Sequence, residues 1–186
     1  MTVFFTSDTH FGHQGILGSR MTKPRPFASI EAHDEALIAT WNNRIRSDDI
    51  VWHLGDFAYG ASRKRVAEIW RRLNGVKHLV RGNHDADRTT RLPWASQQDR
   101  AQVADRGAVF ILDHYAHRTW AGSHRGFLHL YGHSHGSLPG TAASLDVGVD
   151  CWAWRPVTTP EILEALEETR ALEAGRAAIG ALAEAA

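Results

Sequence analysis

The sequence predicts an α/β sandwich in which two mixed β-sheets pack face to face and helices flank them. The first observation is an alternation of strands and helices in the first half of the chain. Short β-branched or aromatic runs at 3–7, 50–54 and 76–80 alternate with segments at 30–45 and 62–73. In these two segments the apolar residues recur at helical spacing. Strands alternating with helices imply right-handed crossovers and a parallel sheet.

The second observation is a change of pattern after about residue 107. Three short strands follow, at 108–112, 127–131 and 144–149, with turn signals and no long helix between them. This change indicates a second sheet that packs on the first. A capping box at Thr158 and Glu161 predicts a helix from 160 to about 174. We expect one domain over 1–174 and an Ala-rich C-terminal tail over 175–186 that frays.

The composition narrows the class of protein. A chain of 186 residues, 43% of them hydrophobic, suits one domain with a full core. The formal net charge of zero argues against a protein that coats nucleic acid. The first residues, MTVFFTSDTH, do not resemble a signal peptide, and no run approaches the roughly 18 apolar residues of a membrane span. With a single cysteine, Cys151, the chain is expected to be soluble and cytoplasmic.

Four short polar motifs follow predicted strands. They are Asp8-Thr9-His10, Gly55-Asp56, Gly82-Asn83-His84-Asp85 and Gly132-His133-Ser134-His135. Functional groups gather at the carboxyl ends of parallel strands, because the loops there open on one side. In extended backbone, residues i and i+2 point the same way, so Asp8 and His10 are expected to bind one ion together. His133 and His135 could serve one ion or two neighbouring ions.

The types of side chain in these motifs indicate a metal site. Imidazole nitrogen is mixed with carboxylate and amide oxygen, without a thiolate, which favours manganese, iron, zinc or a similar ion over a structural Cys-type zinc site. Asp56 is the expected bridge, since a carboxylate can share its two oxygens between two cations. The glycine before three of the polar motifs permits tight turns and close backbone approach.

In this order the four motifs resemble the signature of the calcineurin-like metallophosphoesterase superfamily. That signature runs Asp-x-His, Gly-Asp, Gly-Asn-His-Asp or Glu, a further His and Gly-His-x-His, and here it spans residues 8–135. Segments 7–13 and 147–150 are similar to the small bacterial and phage branch. The resemblance implies a two-sheet sandwich and metal-dependent hydrolysis of phosphoester bonds, in phosphodiesters or phosphomonoesters.

The resemblance also implies two divalent metal ions, manganese first, with iron, zinc and nickel as alternatives. One ion would be held by Asp8, His10, Asp56 and His135. The other would be held by Asp56, Asn83, His133 and one further histidine. His114 is the best candidate for that position, because it follows the apolar strand 109–112. Ala116 stands where the branch often has proline, which leaves His117 and His124 as further candidates.

The catalytic pair implied by the resemblance is His84 and Asp85. His84 would contact the phosphate and donate a proton to the leaving group, while Asp85 orients its ring. The attacking group would be a hydroxide held by the two ions. His13 and Arg25 are candidates for contact with substrate, although a surface position is the more ordinary expectation for Arg25.

Some questions stay open at this level. A non-catalytic metal-binding scaffold on the same fold and a mononuclear zinc hydrolase are the competing interpretations. The substrate could be a monoester, a diester, a nucleotide or a nucleic-acid end, and the oligomeric state is unknown. We expect no membrane partner. Among the other histidines, His33 is predicted to be solvated, whereas His53 and His78 are predicted to be satisfied strand residues.

Overall fold

The computed structural model describes residues 1–19, 21 and 23–184, with the backbone alone for 179–184. In this part of the chain nine strands form two sheets. The strands are β1 (Val3–Thr6), β2 (Ile50–His53), β3 (Val76–Val80), β4 (Ser96–Gln98), β5 (Arg100–Asp105), β6 (Ala108–Asp113), β7 (Leu128–Tyr131), β8 (Ser144–Asp146) and β9 (Val157–Thr158). The α-helices are α1 (Ile30–Arg44), α2 (Arg63–Arg72), the single turn α3 (Asp87–Thr90) and α4 (Thr159–Glu184).

Both sheets are mixed, as predicted. The first has the order β4-β3-β2-β1-β9, in which β1 to β4 are parallel and β9 is antiparallel to β1. The second has the order β5-β6-β7-β8, with β5 antiparallel to β6 and the other pairs parallel. A parallel bridge between Ser7 and Gly148 joins the two sheets beyond β1 and β8.

The first two helices begin at serine caps. The Ser29 hydroxyl accepts the Ala32 N–H at the start of α1, and the Ser62 hydroxyl accepts the Arg65 N–H at the start of α2. The predicted Ser62 cap is therefore confirmed. At α4 the Glu161 carboxylate reaches back to the preceding turn. It accepts hydrogen bonds from Thr158 N and Oγ1 and from the guanidinium groups of Arg44 and Arg155.

The core has two parts, one on each face of the first sheet. Phe4 belongs to a cluster with residues of α1 and α2 such as Trp41 and Trp70, which are 1% and 7% exposed. Phe5 points the other way, because successive strand residues face opposite sides of a sheet. It packs in the layer between the two sheets, which is closed by residues of β6, β7 and α4. This arrangement confirms the predicted sandwich.

The structure differs from the sequence prediction in two respects. Strands β4, β5 and β9 were not predicted. The last helix does not end near residue 174 but continues to Glu184, because the alanines of this segment favour helix and one glycine, Gly175, weakens a helix without ending it. The predicted end of this helix near residue 174 is therefore wrong, the fraying of the tail stays a prediction, and residues 185–186 lie outside the described part. No helix among the described residues is both long and apolar enough to cross a membrane.

Candidate metal centre and active site

The predicted ligands come together at one edge of the sandwich. Loops from the carboxyl ends of three strands of each sheet meet there, namely β1, β2 and β3 of the first and β6, β7 and β8 of the second. The crossover topology makes these strands parallel within their own sheet, so the loops of each sheet open on one side. The bridge between Ser7 and Gly148 holds the two sets of loops together.

The first cluster of potential ligands consists of Asp8, His10 and His135. His10 Nε2 lies 3.9 Å from Asp8 Oδ1, and His135 Nε2 lies 4.0 Å from the same oxygen. These separations are too long for hydrogen bonds. They are slightly wider than the separation of about 3.0–3.6 Å between neighbouring ligands of one ion with bonds of about 2.0–2.2 Å. The three side chains therefore surround a point that suits a cation.

The second cluster consists of Asp56, His114 and His133. His114 Nε2 lies 3.6 Å from Asp56 Oδ2 and 3.0 Å from Asn83 Oδ1. Asp56 Oδ2 also faces the first cluster, at 3.5 Å from His10 Nε2. Among the three alternatives for the last ligand, the structure thus brings His114 to the centre.

Two buried atoms in the first cluster lack a hydrogen-bond partner among the described residues. They are Asp8 Oδ1 and His10 Nε2. Burial raises the pKa of Asp8 to about 7 and lowers the pKa of His10 well below its usual value. Burying a polar atom without a partner costs free energy of folding, and a cation between Asp8 Oδ1 and His10 Nε2 would give both atoms a partner. A neutral imidazole and a carboxylate are the forms that bind metal, so the residues present fit such an ion.

Hydrogen bonds to the second ring nitrogen orient two of the histidines. His114 Nδ1 lies 2.8 Å from the Leu54 carbonyl oxygen, and His135 Nδ1 lies 2.8 Å from Asp150 Oδ2. In each case Nδ1 donates, which leaves the Nε2 lone pair free toward the centre. Burial disfavours protonation of His135, but the hydrogen bond to Asp150 and the negative charges of Asp8 and Asp150 together outweigh it and raise the pKa of this ring.

The backbone at the ligands is left-handed. Eight non-glycine residues among those described have positive φ, and five of them are candidate ligands: Asp8, His10, Asp56, His133 and His135. Such φ values are uncommon outside glycine and cluster at functional sites. The prediction that Asp8 and His10 meet because their backbone is extended is therefore wrong in its reason, although the two side chains do meet. His133 and His135 diverge, one to each cluster.

The glycines before the polar residues let the loops approach each other. A Cβ on Gly82 would lie 2.3 Å from Asp56 Oδ1, and a Cβ on Gly132 would lie 2.4 Å from Asp8 Oδ2. Neither distance is possible without a shift of the surrounding atoms. The sequence prediction of close backbone approach at these positions is confirmed.

Comparison with known proteins decides the family. Residues 1–152 match the family model described as calcineurin-like phosphoesterase. The chain belongs to this family. It is thus a metal-dependent phosphoesterase, a hydrolase that acts on phosphoric ester bonds, as the motifs predicted.

The relatives of this phosphoesterase include archaeal and phage proteins. It is 28% identical to the uncharacterized protein MJ1445 of Methanocaldococcus jannaschii, over 89% of this chain and 92% of the relative. It is 29% identical to the gene 66 protein of Mycobacterium phage D29, over 81% of this chain and 88% of that protein. Among solved structures, AQ665 of Aquifex aeolicus superposes with a TM-score of 0.70 at 23% identity, covering 88% of this chain and 98% of AQ665. That likeness shows the same fold.

Arg25 is not a surface residue of the phosphoesterase and does not face substrate. Its side chain is 1% exposed. Its Nε and Nη2 groups donate to the two carboxylate oxygens of Asp150, at 2.9 and 2.7 Å. The other three N–H groups are directed to the Asp8 and Thr9 carbonyl oxygens and to His33 Nε2. Since a guanidinium has five N–H groups, none is left for a phosphate, and the substrate prediction for Arg25 is wrong.

The contact from Arg25 also explains why His33 is buried. His33 is 0% exposed, and its Nδ1 lies 3.2 Å from Asp34 Oδ1. Asp34 in turn accepts the Gly12 N–H and contacts Arg65. The predicted solvation of His33 is wrong, because α1 turns this residue inward to a polar network beneath the β1 loop.

His84 lies beside the first cluster without belonging to either. Its ring centroid is 5.5 Å from that of His10, and its backbone N–H donates to Asp56 Oδ1 at 2.8 Å. Asp85 does not orient the His84 ring as predicted. Its two carboxylate oxygens accept backbone N–H groups of Asp56, Phe57 and Gly82. Asp85 therefore fixes the loops after β2 and β3 to each other.

His13 supports a ligand. Its Nδ1 lies 3.2 Å from His10 Nδ1, so one of the two rings donates to the other. Its ring centroid lies 6.4 Å from that of His84, and contact of His13 with substrate stays a prediction. Of the remaining candidates, His117 contacts Asp113 at 2.9 Å, outside both clusters. His124 lies in the short 3-10 helix Ser123–Arg125.

Sequence reasoning missed two carboxylates that hold the loops in place. Asp150 links Arg25 to His135, and its pKa is held at about 2 because hydrogen bonds from both partners outweigh burial. Asp146 accepts hydrogen bonds from Ser134 Oγ and from the backbone N–H groups of Gly136 and Gly148. The only available signal was the position of both residues in or beside the 147–150 segment that resembles the bacterial and phage branch.

Proposed function

We propose that this chain hydrolyses phosphodiester or phosphomonoester bonds with two divalent cations bound side by side at Asp56. One observation carries the proposal. A single oxygen, Asp56 Oδ2, lies 3.5 Å from a nitrogen of the first cluster and 3.6 Å from a nitrogen of the second. One carboxylate oxygen facing two sets of ligands fits a bridge between two ions, whereas a mononuclear site would need only one set.

The ligand sets of the proposal follow from the two clusters. The first ion would be held by Asp8, His10, Asp56 and His135. The second would be held by Asp56, Asn83, His114 and His133. Asp56 would hold both ions, since its Oδ2 faces both clusters, while its Oδ1 accepts the His84 N–H.

Manganese, the first choice that the family resemblance implies, is compatible with the types of donor at both sites. Imidazole nitrogens and carboxylate or amide oxygens are borderline to hard ligands, which iron, zinc and nickel also accept. When bound, two such ions supply Lewis-acid activation of the phosphoryl group and lower the pKa of an attacking water.

The protein contributes orientation and proton transfer. His84 has no place in either cluster, so its ring is free to donate a proton to the leaving oxygen. The carbonyl bond at His114 and the carboxylate bond at His135 fix the direction of both ligand rings. Two cavities of about 230 and 360 Å³ both have Lys23 and His135 in their lining, so both border the first cluster.

The experiment is a metal-depletion assay on bis(4-nitrophenyl) phosphate and 4-nitrophenyl phosphate. Chelation should abolish release of nitrophenol, and added Mn²⁺ should restore it, with the two substrates reporting diester and monoester preference. The control is Cys151→Ser, which alters an exposed side chain outside both clusters. Full turnover by protein verified to be free of metal would overturn the proposal.

A further inference from the structure

We propose that the exposed ring of Tyr59 forms the wall beside the leaving group and selects phosphoesters whose leaving group carries a planar aromatic ring. The inference rests on the proposed function, because it uses His84 as the proton donor. It goes further in naming a class of substrate and the residue that selects it.

The position of Tyr59 is the first observation. Its ring centroid is 4.5 Å from that of His84 and 4.8 Å from that of His13. Despite these two contacts, Tyr59 remains 42% exposed. Large apolar rings that stay exposed beside a reaction centre are available for ligand contact.

The segment that carries Tyr59 is held by the same loops that carry the ligands. Its backbone N–H donates to the Phe11 carbonyl at 3.2 Å, next to a parallel bridge between Phe11 and Ala58. Thr9 Oγ1 donates to the Phe57 carbonyl at 2.9 Å. The ring is therefore placed before substrate arrives, which lowers the entropy cost of stacking against it.

The role of His84 connects this position to the leaving group. A proton donor must lie within about 2.6–3.2 Å of the oxygen that departs. The group attached to that oxygen then passes next to Tyr59, whose ring centre is 4.5 Å from that of His84. Aromatic pairs are favourable at centroid separations of about 4.5–7 Å, and their interaction adds stabilisation to that from burial of apolar area. A saturated ring of the same size is stabilised only by burial of its apolar area.

A second exposed tyrosine provides a matched control. Tyr115 is 46% exposed and lies against His133 and His114, at 4.6 and 5.1 Å between centroids. Its hydroxyl is 3.4 Å from Asn83 Oδ1. It thus borders the second cluster, whereas Tyr59 borders His84. A change at Tyr115 can alter turnover, but it should not alter the choice between leaving groups.

The test compares benzyl and cyclohexylmethyl phosphate esters, as monoesters and as methyl diesters. The two alcohols are similar in size and acidity, and they differ in planarity and aromatic character. With Mn²⁺ bound, Tyr59→Leu should lower the benzyl to cyclohexylmethyl ratio of kcat/KM about three- to tenfold. Tyr59→Phe should keep the ratio of the parent, and Tyr115→Leu should leave it unchanged.

A binding measurement separates this inference from the proposed function. The affinities of Mn²⁺-loaded protein for benzylphosphonate and cyclohexylmethylphosphonate are compared in the parent and in Tyr59→Leu. Loss of the benzyl preference only in Tyr59→Leu supports the proposed role of Tyr59, even if neither ester is hydrolysed and the proposed function is refuted. Hydrolysis with an unchanged benzyl to cyclohexylmethyl ratio in Tyr59→Leu refutes the role of Tyr59 and leaves the proposed function intact. An equal loss of selectivity in Tyr115→Leu also refutes the role of Tyr59.

Discussion

Arg25 stabilises the phosphoesterase fold from beneath the metal centre, and Arg25→Met should reveal this. The substitution keeps an apolar stem of similar length and removes all five N–H donors. It leaves the Asp150 carboxylate, which is 15% exposed, without its bidentate partner. Removing one member of a buried ion pair costs about 3–5 kcal/mol, and here the Asp150 carboxylate would keep only its hydrogen bond to His135 Nδ1. We therefore expect Arg25→Met to lower the free energy of unfolding by that amount.

The assay is urea denaturation followed by tryptophan fluorescence in excess chelator. Working without metal removes the contribution of ion binding to stability. Arg63→Met is the matched control, since Arg63 is 68% exposed and, among the described residues, pairs only with Asp87, which is 60% exposed. Such a surface pair is worth about 0–1 kcal/mol. Adding Asp150→Asn to Arg25→Met should recover part of the loss, because the carboxylate charge that has lost Arg25 is then removed.

A different result would show that Arg25 serves substrate after all. If the free energy of unfolding of Arg25→Met stayed within about 1 kcal/mol of the parent value while its KM for phosphoesters rose, the buried structural role of Arg25 would be refuted.

Three further predictions concern other parts of the chain. His84→Ala should keep the metal content of the parent and lower kcat by about 10²–10⁴ on an alkyl ester, with a smaller loss on a nitrophenyl ester; equal losses, or lost metal, would contradict the acid role. Gly82→Ala should cost about 1–3 kcal/mol or more in urea denaturation and weaken Mn²⁺ binding, because its Cβ meets Asp56 Oδ1 at 2.3 Å. Gly175→Ala, with open space around it, should be neutral or slightly stabilising, and similar effects at both glycines would count against the close approach. Burial disfavours ionisation of Glu161, but hydrogen bonds at the start of α4 outweigh it and hold its pKa at about 2, below the ordinary 4.5. A lowered pKa stabilises the fold above pH 4.5, and this contribution is lost as the pH falls toward 2. After allowance for the partial exposure of Glu161, Glu161→Gln should lower the free energy of unfolding by about 1–2 kcal/mol at pH 7. The difference in unfolding free energy between parent and variant should be smaller at pH 3. A difference that did not change with pH would exclude this linkage.

The strands and helices with strong periodicity were predictable from the sequence, and those with a weak signal were not. β1, β2 and β3 have apolar runs, and α1 and α2 have an apolar face. β4 is a three-residue polar strand, and β9 has only two residues. β5 is an edge strand whose residues alternate between exposed and half-buried, so its apolar signal is slight. These strands are formed by pairing with neighbours, which a local pattern does not show.

The ligands were predictable by type and order, but their supports were not. Asp8 and His10 follow a strand in a recognisable motif, whereas Arg25 and Asp150 are 125 residues apart and meet only through the fold. A buried arginine is also rare enough that a surface position was the reasonable expectation. The left-handed backbone at the ligands runs against local preference, so sequence reasoning assigned them extended conformation.

The measurement that tests the central claim most directly is the number of Mn²⁺ ions bound per chain, by calorimetric titration of metal-free protein and by elemental analysis. The proposal predicts two ions for the parent. Asp56→Ala should weaken both sites together while the fold is retained by circular dichroism, because Asp56 Oδ2 faces both clusters. One ion per chain at saturation, or an Asp56→Ala variant that still binds two ions with the affinity of the parent, would contradict a centre bridged by this carboxylate.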